Sequence, residues 1–246
     1  MIGTLTARSA LAPEVVGEMY ALIDAHFENV SRARFELDLG GKNWVLLLRD
    51  ADGTLAGFST ILFYVTELEG ERVSIVYSGD TIVDPSHWGS PALARSWIAS
   101  ILELQSGAST SRIFWLLLTS GFRTYRYLPL FWRSFHPCFD AETPPETARR
   151  IDALAGPLLG DEYDSAAGIV RFREPARLRP HLRELAVGRL HDPHVAFFLE
   201  RNPGHADGDE LVCLTEISAA NLTRAGWRMV SGAIAPETAG SGRRGA

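Results

Sequence analysis

Between Glu71 and Gly121 the hydrophobic period changes twice, and this constrains the fold more than any other stretch of the chain. "ERVSIVYSGDTIVD" alternates and is rich in β-branched residues, the pattern of a strand, and Asp84-Pro85 ends it. Leu93, Trp97, Ile101 and Leu104 then recur at helical spacing, behind Ser90 as cap and Pro91 as first helical residue, which predicts a helix from about Ser90 to Gln105. "RIFWLLLTSG" is an apolar run short enough for a buried strand. A strand-helix-strand unit of this kind makes its two strands parallel through a right-handed crossover.

The preceding segment requires different pairing. Val15, Met19, Leu22, Ile23, His26 and Phe27 mark an amphipathic helix opened by Pro13. "NWVLLLRDADGTLAGFSTILFYV" reads as two strands around a tight turn at Asp50 to Gly53, and a second turn near Gly70 leads into the strand at Glu71. Three strands with short connections form an antiparallel meander. Downstream, "FRTYRYLPLFWRSF" has helical spacing, "ETARRIDALAGPLL" suggests a short helix, and 168–173 a strand. Two helices follow in 175–208, then a strand at 210–216 and a final helix opened by Ser218. The fold class expected is α/β (α+β): a mixed, mostly antiparallel sheet with one crossover and a helical C-terminal insertion. No linker divides the chain, so 1–230 reads as one domain with its core in 1–140, closing strands at 168–173 and 210–216, and an insertion at 175–208. Its small-residue tail, 231–246, is expected to be disordered.

Composition then narrows the function classes. With 46% hydrophobic residues the 246-residue chain can bury a large core, and a formal charge of −6 argues against nucleic-acid binding, which calls for a basic face. Two cysteines, Cys138 and Cys213, lie far apart without metal-ligand spacing, as expected of a reducing compartment. The N-terminus lacks a basic start and long apolar stretch, and no run approaches the ~18 apolar residues of a membrane span, so a cytoplasmic protein is expected. His191, His194 and His205 with Asp207 and Asp209 are close in sequence but show no supporting ligand logic, and no metal is expected. Ser120-Gly121 lacks the glycines of a nucleophile elbow.

The order helix, hairpin, strand ending "TIVDPSHWGSPALARSWI", helix, strand "IFWLLL" and tyrosine-bearing helix resembles the GNAT acyltransferase superfamily, in layout over about residues 1–140 and in sequence over 73–136, with N-acyl amino acid synthases among its similar members. Val83 and Pro85 match the superfamily's strand-turn-helix signature, and Gly89 suits its glycine. The resemblance implies an N-acyltransferase, with Thr81, Ile82, Val83, His87, Trp88, Gly89 and Ser90 holding the pantetheine and pyrophosphate of acyl-CoA. Ser86 and Pro91 depart from the signature: Ser86 offers no long polar arm, and proline has no N–H for a phosphate. An acyl-carrier phosphopantetheine donor has no adenine nucleotide and tolerates that loss. Arg171, Arg173, Arg177, Arg179, Arg183 and Arg189 are the candidate face for docking such an acyl carrier protein. Asp80, beside a bulge-prone Gly79, is the expected base for the amine acceptor, and Tyr127, or else Tyr125, the acid for the departing thiolate. The competing class is a non-catalytic module that keeps this fold to bind an acyl carrier, a partner protein or a small ligand. The oligomeric state is left open.

Overall fold

A computed structural model of the chain describes residues 1–183 and 191–230. The elements run β1 (Ile2–Ala7), α1 (Pro13–His26), β2 (Phe27–Glu28), α2 (Arg32–Gly40), β3 (Trp44–Arg49), β4 (Leu55–Leu68), β5 (Glu71–Val83), α3 (Ala92–Ser106) and β6 (Ile113–Thr119). They continue with α4 (Phe122–Tyr125), α5 (Tyr127–Phe131), α6 (Pro145–Leu159), β7 (Tyr163–Asp164), β8 (Ile169–Val170), β9 (Arg177–Leu178), α7 (Pro180–Arg183), α8 (Pro193–Arg201), β10 (Glu210–Glu216) and α9 (Arg224–Val230). One eight-stranded sheet has the order β1-β3-β4-β5-β6-β10-β8-β7, and β2 pairs with β9 apart from it. Every neighbouring pair in the large sheet is antiparallel except β5 and β6.

The turns follow from backbone chemistry. Gly53 (φ 88°) and Gly70 (φ 80°) supply the left-handed angles on which the two hairpins close. β5 and β6 stay in register from Ser74 opposite Ile113 to Ser78 opposite Leu117, after which β5 runs on to Val83 without that partner. The strands part there, and the cause is in β5: between the pairs Ser59–Thr81 and Ile61–Ser78, two residues, Gly79 and Asp80, stand against Thr60 alone. This is a β-bulge, which bends a strand and increases its local twist.

Each face of the sheet is covered differently. One carries Leu46, Leu48, Ile61, Val76, Trp115, Leu117 and Cys213 under α3, α5, α8 and α9. The opposite face has two separate covers: α1 and α2 over Val45, Leu47, Phe58 and Ile82, and α6 over Val73, Ile75, Phe114, Leu116 and Leu118.

Several expectations need correction. The strand β1 and the helix α2 are additional to the elements expected from sequence, as is the short edge strand β7. The helix expected through 122–135 is two short helices, because Pro129 has no N–H for the carbonyl of Tyr125 and the chain breaks at Arg126. Beyond Phe131 the chain runs extended beside β10, bridging Trp132 to Leu222 and His136 to Leu214. The last helix opens at Thr223, whose hydroxyl accepts from Gly226 N, because the Asn221 side chain ties the preceding turn to Ser134, Thr215 and Glu216. The outer closing strand shrinks to Ile169–Val170. Residues 231–246, Leu185 and Arg189 lie outside the described residues.

Candidate functional site

Where β5 leaves β6, an apolar pocket opens on the α3 side of the sheet. Ser78 and Thr81 of β5, Trp115 and Leu117 of β6, Leu93, Ala94, Trp97 and Ile98 of α3, and Thr124, Tyr127, Phe131 and Trp132 line it. Trp97 and Trp115 pack with ring centroids 4.6 Å apart, and the Trp115 indole N–H donates to Ser78 Oγ at 2.8 Å. Ser59 and Thr81 share a hydrogen bond of 2.8 Å across the bulge. Trp132 is 2% exposed, and its indole N–H has no hydrogen-bond partner. A buried donor without a partner costs about 1–3 kcal/mol.

The two candidate tyrosines are separated by the helix break. Tyr127 lines the pocket, stacked on Phe131 at 5.7 Å, and burial raises its phenol above the ordinary value. Tyr125 is fully buried among Phe135, Phe197 and Phe198, and its hydroxyl donates to the carbonyl of Pro137 at 2.9 Å. Tyr125 is therefore committed to packing.

The expected anion-binding turn is folded upon itself. Asp84 accepts from the backbone N–H and hydroxyl of Ser86, His87 N donates to Asp84 O, Trp88 N to Pro85 O and Ser90 N to His87 O. His87 pairs with Asp50 at 3.0 Å, the Trp88 indole donates to Val83 O at 2.8 Å, and Arg123 lies 4.1 Å over the Trp88 ring. The Ser90 hydroxyl accepts from Ala92 N, and α3 begins behind Pro91, which brings no N–H. Ile82 points away into the core under α1 and α2. Of the residues expected to hold the donor, Thr81 borders the pocket and Val83 packs into the core beneath it. The turn carries the Asp84 carboxylate, held below its ordinary value by Ser86, where a pyrophosphate would sit. Those bonds and the Asp84 carboxylate leave the turn little to offer a pyrophosphate.

Asp80 lies across the sheet, on the face of α1 and α2. It is exposed, yet the protein around it raises its carboxyl, with Lys42 pulling the other way and Asp38 adding to the rise. Its side chain is open to water, so the rise is smaller than full enclosure would produce. Three neighbours carried no sequence signal. Lys42 Nζ stands 5.0 Å over the Tyr77 ring and donates to Asp38 O at 3.3 Å. Burial, with the Asp80 carboxylate beside it, moves Glu210 up to about 8, and burial raises the Tyr77 phenol. A Cβ on Gly79 would lie 2.6 Å from Lys42 Cε and 2.6 Å from Thr60 Oγ1, so glycine here makes room for the lysine. Residues 42, 80 and 210 are brought together only by the strand order.

The arginine series is interleaved with acids. Arg171 pairs with Asp164 and Asp209, Arg173 with Asp161, and Arg177 with Asp207. Arg179 donates to Asp24 O and Arg183 to Leu178 O. Among the described residues no His, Cys, Asp and Glu gather as a metal-ligand group, no helix is long and apolar enough to cross a membrane, and both cysteines are buried and free.

The parallel pair, the bulge and the order of strands complete the layout expected from the resemblance. The fold is GNAT-like. No family profile and no curated protein matches the chain. Solved structures do. A conserved protein of Enterococcus faecalis V583, described as a probable N-acyltransferase, is similar at TM-score 0.39 and 16% identity over 55% of this chain and 33% of its own. The GNAT family N-acetyltransferase YhbS of Escherichia coli, solved in complex with CoA, is similar at TM-score 0.35 and 22% identity over 49% of this chain and 64% of its own. A GCN5-related N-acetyltransferase of Kribbella flavida is similar at TM-score 0.37 and 11% identity over 90% of this chain and 67% of its own. The chain thus spans a third of the Enterococcus protein and under two thirds of YhbS.

Proposed function

We propose that the chain is an N-acyltransferase that moves an acyl group from a pantetheine thioester to an amine, and that it takes the thioester on an acyl carrier in preference to free acyl-CoA. The observation that carries this reading is the apolar pocket between the diverging β5 and β6, with Tyr127 in its wall and Asp80 at the bulge beside it. The pantetheine arm enters from the α3 face and the amine from the other. Attack of the amine nitrogen on the thioester carbon forms the C–N bond. The Trp132 indole N–H, buried in the pocket wall without a partner, is the donor for the carbonyl oxygen as it gains charge. Asp80 takes the proton from the nitrogen, and its raised carboxyl makes it a stronger base for that task. As the C–S bond breaks, Tyr127 gives its proton to the sulfur; its burial keeps the phenol protonated until then.

The donor preference follows from the turn at residues 84–90, whose N–H groups serve the turn itself and whose Asp84 carboxylate repels a pyrophosphate. The described arginines add little to it, since Asp161, Asp164, Asp207 and Asp209 balance three of them. Thiol release from acyl-pantetheine, acyl-CoA and acyl carrier protein, each supplied with a panel of primary amines, tests the proposal. Amine-dependent release that is fastest from the carrier supports it. Release that is fastest from acyl-CoA removes the donor preference, and no release from any donor identifies a binding module instead.

A further inference from the structure

On the face of the sheet away from the donor pocket, α1 and α2 cover one end and α6 the other, and the strip between them is polar. Lys42, Tyr77, Asp80 and Glu210 share this strip. Asp80 stands on β5 and Glu210 on β10, with β6 between them and β5 already parted from it, so their backbones are roughly 10 Å or more apart. The ground between the two carboxyls is apolar, formed by Leu118 of β6 and the Tyr77 ring. Thr60, 1% exposed and with a hydroxyl that has no hydrogen-bond partner, borders the space over Gly79 beside Asp80. The cation among these groups, Lys42, faces Tyr77 and Asp38 O and acts on both carboxylates through space, with no direct ion pair to either among the described residues.

We propose that this strip seats the acceptor, and that the acceptor is a small dication: a primary amine bound at Asp80 whose second cationic nitrogen sits at Glu210, with its methylene chain across Leu118 and Tyr77. The inference rests on the acyl-transfer reading. With Glu210 ionised in the complex, two carboxylates face one lysine, and two such ends around an apolar middle match an α,ω-diamine. An amino acid, which brings its own carboxylate, would place that group against Asp80 or Glu210. The unpartnered Thr60 hydroxyl lies at the Asp80 end, beneath the Lys42 side chain. Glu210 faces Asp80 and Tyr77 from β5 and Lys42 from the segment after α2, and Asp38 of α2 lies behind Lys42. Near pH 7 Glu210 is largely protonated, so a cation that arrives there displaces its proton.

Calorimetry on the full chain without any thioester tests the proposal. 1,4-Diaminobutane should bind about tenfold or more tighter than butylamine, 4-aminobutanoate should bind no better than butylamine, and diamine binding at pH 7 should release about one proton, read from two buffers of different ionisation enthalpy. Glu210→Gln should remove both the diamine preference and the proton release and leave butylamine unchanged. Lys42→Met should tighten diamine binding, an effect that loss of a structural lysine would not produce. Equal affinity for diamine and monoamine, tighter binding of 4-aminobutanoate, or a preference that survives Glu210→Gln overturns the proposal. If the diamine binds through Glu210 and no thioester is consumed, the dication site stands and acyl transfer falls. If thioesters are consumed with monoamines and the diamine has no advantage, acyl transfer stands and the dication site falls.

Discussion

The two faces of the sheet at the bulge differ in what stabilises them. On the α3 face, tryptophans and aliphatic side chains close over the gap between β5 and β6, and the groups left wanting are single polar atoms such as the Trp132 N–H. On the opposite face a lysine and two carboxyls share one strip, with raised proton affinities on the acids. Burial of apolar surface stabilises the fold, whereas carboxyls held away from their ordinary ionisation oppose it, so the first face holds the molecule together and the second is maintained at a cost. A chain selected for stability alone would fill the second face with apolar side chains, and it is on this face that the proposed chemistry rests.

The contrast breaks most readily at Asp80. Asp80→Asn keeps the shape and removes the base, so turnover in the thiol-release assay should fall ~10²-fold or more near pH 7 and recover in part at higher pH, as more amine is already deprotonated. Wild-type turnover in this variant would leave the polar face without a catalytic part. On the apolar face, Trp132→Phe keeps the ring packing and deletes the N–H. We expect kcat to fall by roughly 10²-fold with little change in the Michaelis constant for the carrier-borne thioester, as for the loss of one oxyanion donor, and a change in the Michaelis constant alone would assign Trp132 to binding.

The cost of the polar face is measurable without a substrate. Burial, with the Asp80 carboxylate on the same face, pushes the folded Glu210 carboxyl up to about 8 from the ordinary 4.5. The folded state therefore holds more protons than the unfolded state between those values, and stability falls as pH rises from about 4.5 through 8. Glu210→Gln should flatten that slope and raise the melting temperature by a few degrees at pH 8, with little gain at pH 4.5. Equal gains at both pH values would show that Glu210 is not strained by its neighbours. The smallest effects compare the tyrosines. Tyr127→Phe should slow poor thiol leaving groups more than activated thioesters, whereas Tyr125→Phe should cost about 1 kcal/mol of stability through its bond to Pro137 and leave the rate alone.

Most of the apolar face was legible in the sequence, because α3, β5 and β6 carry their periodicity locally and Gly79 beside Asp80 marks the bulge. The choice between Tyr125 and Tyr127 was open, since it depends on how the chain turns at Arg126, which is settled by the carbonyl that Pro129 cannot serve. β1 was not recognised, because "IGTLTA" alternates only weakly and is held by its pairing with β3 and by the close approach of Gly3 to Ser96. α2 was missed because only Phe35 and Leu39 of its nine residues are buried. The polar face was hardest to read: Lys42 ends a helix-strand connection and Glu210 begins a strand, and neither position has a motif that ties it to Asp80. Only the placement of β10 beside β6 brings them to one level.

On the proposed reading, the sheet that parts at Gly79 would also govern traffic. If the thioester arrives from one side of a wall and the amine from the other, neither queues behind the other, and a product leaving by one door does not bar the next arrival at its opposite. Steady-state rates would then depend on both concentrations at once, in lines that converge, and each substrate would bind whether or not the other is already in place.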